Sequence, residues 1–382
     1  MKLCIKGGLL YTVADDREFV GDLLIENGKI TEIGDNLADC ADRVIDAAGK
    51  RVYPGFVDAH SHLGLDGYAV RFEGMDYNEF TDSLTPHLEA IDAFNPQDET
   101  IAMAALGGVT TVGTGPGSSN VLGGTFIAVK TRGARVDDMV LRRKAAMKCA
   151  FGENPKFCYK EKDNASRMSV AAKLRTMLTK TREYIKKREA AGDDLSKMPA
   201  FDEKLEALIP VVRGEIPLKA HAHRADDIFT AIRVAREMGV NLTLEHCTDG
   251  HLIADYLARE NFYIAVGPSF GHATKYELRN MTFDTPGILA AAGCHVSIVT
   301  DAPVIPQQYL PMCAGLAAKC GMDRAEALRA ITINPARHLG VADRVGSIEI
   351  GKDADLVIAD GDPFNTETRI CKVFIDGIEI IK

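Results

Sequence analysis

His60 and His62 stand two residues apart in PGFVDAHSH, and His221 and His223 repeat that spacing in IPLKAHAH. Residues two apart in an extended strand point to the same face, so each pair can present two imidazoles to one ion. Neutral imidazole nitrogen is a good ligand for Zn, Fe, Ni or Mn. His246 ends the run LTLEH, and Asp301 follows HVSIVT. Each has an ordinary reading: a surface or core histidine, a ring bonded to a backbone carbonyl, an aspartate capping a helix. Together they put metal-competent groups at the ends of four separate apolar runs, which packing does not explain. Of His221 and His223 only one need be a ligand, and His221 continues the inward alternation most directly. Asp58 and Ser61 are placed to support the first pair rather than to react.

The segments that must position these groups alternate between strand-like and helical patterns. YPGFVDAH, AAMKCAFG, IPLKAHAH, NLTLEHC, FYIAVGPS and HVSIVTDAP are short apolar runs. Helical periodicity separates many of them, as in SVAAKLRTMLTKTREYIKKREA and ADDIFTAIRVAREMG. Such alternation predicts a parallel sheet covered by helices. A closed barrel brings the C-terminal ends of all its strands to one site, whereas an open sheet gathers ligands at one switch point. The spread of histidines over several strand ends favours an α/β fold with a (β/α)8 TIM-type barrel.

The ends of the chain read differently. LCIKGGLLYTV and DLLIENGKITEIG, the latter with Asn27-Gly28 at a hairpin position, are strands, and GSIEIGKDADLVIAD and CKVFIDGIEII repeat the style. A small β-sandwich built from both termini follows, with divisions at 1–53 and 341–382 around a barrel of 54–340. Residues 113–124, GTGPGSSNVLGG, resemble an anion cradle but read better as a tight barrel loop.

Composition narrows the function classes. Apolar residues form 46% of the chain and charged residues 26%, the balance of an ordinary globular protein. A net charge of -9 argues against nucleic acid as a partner. No apolar run approaches a membrane span, and Asp15 and Asp16 stand where a signal peptide would need small residues. Nine cysteines without a CxxC pair suggest neither a disulfide framework nor a thiolate zinc site, which points to a reducing cytoplasm.

The motifs PGFVDAHSH, LKAHAH, LTLEHC and VTDAP, with the long stretch ITINPARHLGVADRVGSIEIGKDADLVIADGDP, resemble the amidohydrolase superfamily. The resemblance spans nearly the whole chain and lies closest to the branch of imidazolonepropionase and metal-dependent prolidases. It implies one or two divalent ions, zinc first, with manganese or iron as alternatives. His60, His62 and Asp301 would surround one ion and His221 and His246 a second. A carboxylate normally bridges them: a carboxylated Lys148, or Glu153 in its place. Asp301 would move the proton from water to the leaving nitrogen, and His246, or else His251, would steady the oxyanion.

His223, Arg224, His251 and His272 are the candidates to contact substrate, with Lys275 and Arg279 as further cations for a substrate carboxylate. The implied reaction is hydrolysis of a C–N bond in a small amide, dipeptide, N-acyl amino acid or cyclic amide. Deamination of a heterocycle on the same fold is the alternative, and a non-catalytic scaffold is a third. Relatives of this kind are often dimeric or larger, so a homo-oligomer is implied.

Overall fold

A computed structural model describes residues 2–15, 17–67, 71–163 and 166–381. Eight strands follow one another around a nearly closed barrel: Phe56–Ser61, Val109–Thr114, Leu122–Lys130, Val140–Ala150, Leu218–Ala222, Leu242–His246, Tyr263–Val266 and His295–Ile298. We call these barrel strands one to eight. The residues of strands one, two, three, five and six are all buried, as an apolar run enclosed on both faces requires.

One expectation needs correction. The sheet is not wholly parallel, because strand three runs antiparallel to both strand two and strand four. Only a loop joins strands two and three, so the chain turns back on itself instead of crossing over through a helix. Strand three also takes Leu122, Gly123 and Gly124 out of the stretch read as a loop, leaving residues 115–121 as the connection. Glycines in this strand admit close neighbours: a Cβ on Gly124, at φ +118°, would lie 2.4 Å from the Leu88 carbonyl oxygen.

The other connections carry helices. Asp98 caps Glu99–Leu106 by accepting from the Thr100 N–H, and Ser166 and Asp202 cap Arg167–Ala191 and Glu203–Val212 in the same way. Ala225–Glu237 buries Ile228, Ala231, Ile232 and Ala235, the spacing of one helical face laid on the sheet. Strands eight and one close the ring through their ends rather than a ladder. Asp301 N–H donates to the His60 carbonyl at 3.2 Å, and His62 N–H donates to the Ala302 carbonyl at 2.8 Å.

Both ends of the chain enter a second sheet of eight strands. Leu356–Ala359 pairs antiparallel with Arg51–Pro54 and so joins the C-terminal strands to the N-terminal ones. Asn27 and Gly28 both take positive φ, +51° and +78°, in the two-residue turn between Glu18–Glu26 and Lys29–Gly34. Ile5, Leu23, Ile25, Ile30, Leu356 and Phe374 share one core on this sheet. Lys130, at the end of strand three, reaches out of the barrel to Asp353, Asp355 and Asp376 at 2.8, 2.8 and 2.6 Å.

All nine cysteines are free thiols, and Cys149 is buried as its apolar run implies. No helix among the described residues is long and apolar enough to cross a membrane.

Candidate metal centre

His60 is inward on strand one and fully buried, and His62 follows just past the strand's end. With Asp301 they form one group whose candidate ligand atoms lie within 4.8 Å of one another. His221 at strand five, His223 just beyond it and His246 at the end of strand six form a second such group. The groups adjoin: the His60 and His246 rings are 4.8 Å apart and those of His221 and His246 4.5 Å.

Strict alternation cannot turn both Glu245 and His246 into a barrel. The backbone resolves this at the strand end, where His246 takes φ +73° and Cys247 +42°. Asp301 likewise sits at φ +53°. Such left-handed conformations cost energy in residues with a Cβ and tend to collect at functional sites.

Hydrogen bonds orient four of the five rings in the same sense. Nδ1 of His60 meets Glu245 Oε2 at 2.8 Å, and that of His62 meets the Gly115 carbonyl at 2.7 Å. Nδ1 of His223 meets Thr248 Oγ1 at 2.8 Å, and that of His246 meets the Gly267 carbonyl at 2.7 Å. A ring that donates from Nδ1 keeps its lone pair on Nε2. His62 Nε2 then lies 3.3 Å from Asp301 Oδ1, and His60 Nε2 lies 3.7 Å from it.

Burial pushes His60, His221 and His223 well below the ordinary histidine range, and His246 down to about 4. Burial thus favours the neutral form of these four rings, the form that binds metal. Burial would raise the Asp301 carboxyl, and only positive charge at the His246, His62 and His60 rings beside it, a proton or a cation they hold, draws it below its usual range.

The donor set fits divalent ions. His246 Nε2, both nitrogens of His221 and Asp301 Oδ1 are buried without a hydrogen-bond partner. An orphaned buried polar atom costs about 1–3 kcal/mol, so four in one place mark a site built for something that satisfies them.

Lys148 of strand four is fully buried, with Nζ 3.0 Å from His60 Nε2 and 5.3 Å from the centre of the Phe126 ring. Burial lowers its pKa to about 8. Glu153 stands at the first turn of Glu153–Cys158, half-buried, and its backbone N–H donates to Glu277 Oε2 at 2.9 Å. The structure thus brings Lys148 to the ligand groups and sets Glu153 beside Glu277.

Three of the residues expected at the substrate have the following surroundings. Arg224 folds onto Asp226 at 2.7 and 2.9 Å, and His251 Nδ1 meets Thr285 Oγ1 at 3.0 Å. His272 is exposed on the loop after strand seven, as is Arg279, which lies over the Tyr276 ring. Lys275 is half-buried, held by Glu277 and by Asn154 Oδ1 at 2.6 and 2.8 Å. Asp58 and Ser61 take the supporting places expected of them. Asp58 bonds to Thr300 and Gln307, and Ser61 donates to the Gly113 carbonyl.

Sequence reasoning missed Glu277, Glu245, Lys219 and His338. The Glu277 side chain is wholly buried, with Oε1 3.8 Å from both His221 Nε2 and His223 Nε2. It comes from a polar loop with no period to betray it. Lys219 and Glu245 did carry a signal: a charge inside an apolar strand must find a partner.

A family model described as the Amidohydrolase family matches residues 51–379. An amidohydrolase structure from Thermotoga maritima MSB8 is 41% identical and superposes with a TM-score of 0.96, each chain covered completely. Amidohydrolase tasK of Hapsidospora irregularis is 28% identical across 94% of this chain, which spans only 40% of that relative's length. An imidazolonepropionase of Treponema denticola is 25% identical, with 90% of this chain and 86% of the relative aligned.

Proposed function

Because this chain belongs to the amidohydrolase family, we propose that it is a metal-dependent hydrolase that cleaves a carbon–nitrogen bond of a small molecule. The observation that carries this reading is the common orientation of the rings. Four histidines from three strand ends spend Nδ1 on the surrounding protein and leave Nε2 for the centre of the barrel mouth.

His60, His62 and Asp301 would hold one divalent ion, and His221 and His246, with His223 beside them, a second. When bound, such ions supply Lewis acidity, making water a nucleophile near neutral pH and polarising a carbonyl. Asp301, with Oδ1 3.3 Å from His62 Nε2 and beside the ion that group would hold, would take a proton from the attacking water and return it to the leaving nitrogen. His246, its ring 4.8 Å from that of His60 and 4.5 Å from that of His221, would stand beside the reacting carbonyl.

Lys148 is our choice for the bridge over Glu153. An amine with a pKa near 8 has a neutral fraction that adds CO2 to give a carbamate and a proton, and Lys148 Nζ already lies at His60 Nε2. His223 and Glu277 face the site from strand five and the loop after strand seven and are the nearest candidates for substrate contact. The same reading keeps residues 54–340 as the catalytic barrel, with residues 1–53 and 341–382 as its terminal β module.

The test is a metal assay joined to a substrate panel of dipeptides, N-acyl amino acids, cyclic amides and amino-substituted heterocycles. One to two zinc, manganese or iron ions per chain, with amide turnover lost on chelation, is the expected result. Ammonia from the heterocycles alone, with one ion per chain, would replace the amidase reading by a deaminase. A chain that takes up no metal would remove both.

A further inference from the structure

Glu245 precedes His246 in strand six, and its carboxylate is completely buried. Four side chains converge on it. Oε2 lies 2.8 Å from His60 Nδ1 and 2.8 Å from Lys219 Nζ. Oε1 accepts from the Thr243 hydroxyl at 2.9 Å and lies 3.0 Å from His338 Nε2. Lys219, on strand five, and His338, on Ile333–Leu339, are themselves buried and 3.2 Å apart.

A buried carboxylate is costly unless paired and hydrogen-bonded, and packing alone would be served better by apolar side chains. Lys219 balances the charge of Glu245 and keeps it an acceptor. With Lys219 and His60 donating to Oε2, His338 and Thr243 complete the set at Oε1. Three partners therefore secure the carboxylate, and the fourth is the ring that heads the first ligand group. An ionised acceptor at Nδ1 holds the His60 proton there and leaves Nε2 free, directed toward Lys148 and Asp301.

We propose that Glu245 is the positioning residue that fixes the tautomer and orientation of His60, with Lys219 and His338 holding Glu245 in turn. The segment NPARHLG near the end of the chain, whose Ala336 and Leu339 share a core with Val57, Ala128, Ala145 and Ala265 of four barrel strands, is then coupled to the metal site. The inference rests on the metal-binding reading for its affinity readout, while its tautomer readout does not.

The experiment titrates the metal-free chain with zinc and records the histidine ring nitrogens by NMR with 15N-labelled histidine. Glu245→Gln should weaken zinc binding ~10–100-fold and move His60 away from the Nδ1–H form expected in the parent. Asp353→Asn, which breaks a buried ion pair in the terminal sheet, should leave both readouts unchanged. Should Glu245→Gln fail to fold, His338→Gln reads the same coupling, with zinc binding weakened several-fold and the His60 signal shifted. Wild-type affinity and an unmoved His60 tautomer in either variant would overturn the proposal. Failure of the parent to bind zinc would overturn the metal reading instead, and the tautomer comparison would still decide the role of Glu245.

Discussion

Asp58 and Thr300 tie the first barrel strand to the last: Asp58 Oδ2 accepts from the Thr300 N–H at 3.0 Å and from its hydroxyl at 2.7 Å. Gln307 Nε2 donates to the same oxygen at 2.6 Å, and Asp58 Oδ1 accepts from the His60 N–H at 3.0 Å. Strands one and eight share no ladder, so this carboxylate does much of the closing, directly beneath His60 and Asp301. Asp58→Ala should strand several buried donors and cost roughly 3 kcal/mol of stability. Urea unfolding measures that loss. An unchanged midpoint would mean that the ring closes without Asp58.

Metal loading should raise the unfolding temperature as well as support turnover. An ion that binds only the folded chain stabilises it by about 2.7 kcal/mol at a free concentration one hundred times its Kd. Thermal unfolding of chelator-treated protein with and without added zinc checks this. His60→Ala or His246→Ala should reduce the shift, whereas His272→Ala, on an exposed loop, should retain it.

Lys148 and Glu153 separate cleanly by labelling. Protein incubated with 13C-bicarbonate should give a carbamate resonance that Lys148→Ala lacks and Glu153→Gln keeps. Loss of Lys148 should lower turnover by at least ~100-fold, about 2.7 kcal/mol of barrier. Full metal content and activity in Lys148→Ala, with both lost in Glu153→Gln, would reverse the assignment.

Acid should weaken the terminal sheet through Asp353. Burial alone would raise this carboxyl, but Arg344, Lys130 and Lys29 pull it from 3.8 to about 2. A folded pKa below the unfolded one stabilises the protein at pH values above about 4, and that contribution disappears as pH falls through about 2. Its full size is ~2 kcal/mol. Asp355, on the same lysine, is pushed up by burial and so contributes with the opposite sign, offsetting part of it. Asp353→Asn should therefore trail the parent in urea at pH 6, with the gap closing toward pH 2. A gap that stays constant with pH would show that Asp353 acts by packing alone.

The candidate ligand residues were legible because a buried strand that ends in a polar side chain breaks its own pattern. Glycine-rich residues 113–124 carry no such break, so the reversal into strand three does not show in the sequence. Arg224 and His272 stand near strand ends in sequence, and the structure adds that Asp226 pairs with the first and that the second is exposed.

Local spacing thus determined which residue types end the strands, and hence His60, His62, His221, His223, His246 and Asp301 as candidates to surround metal. Family resemblance, not spacing, implied two groups with Lys148 between them; tertiary structure alone decided how closely they adjoin and that Glu245 and Glu277 back the histidines. The reason is distance along the chain. His60 and Glu245 are 185 residues apart and Glu245 and His338 another 93, and no periodicity reports contacts made only when a barrel closes.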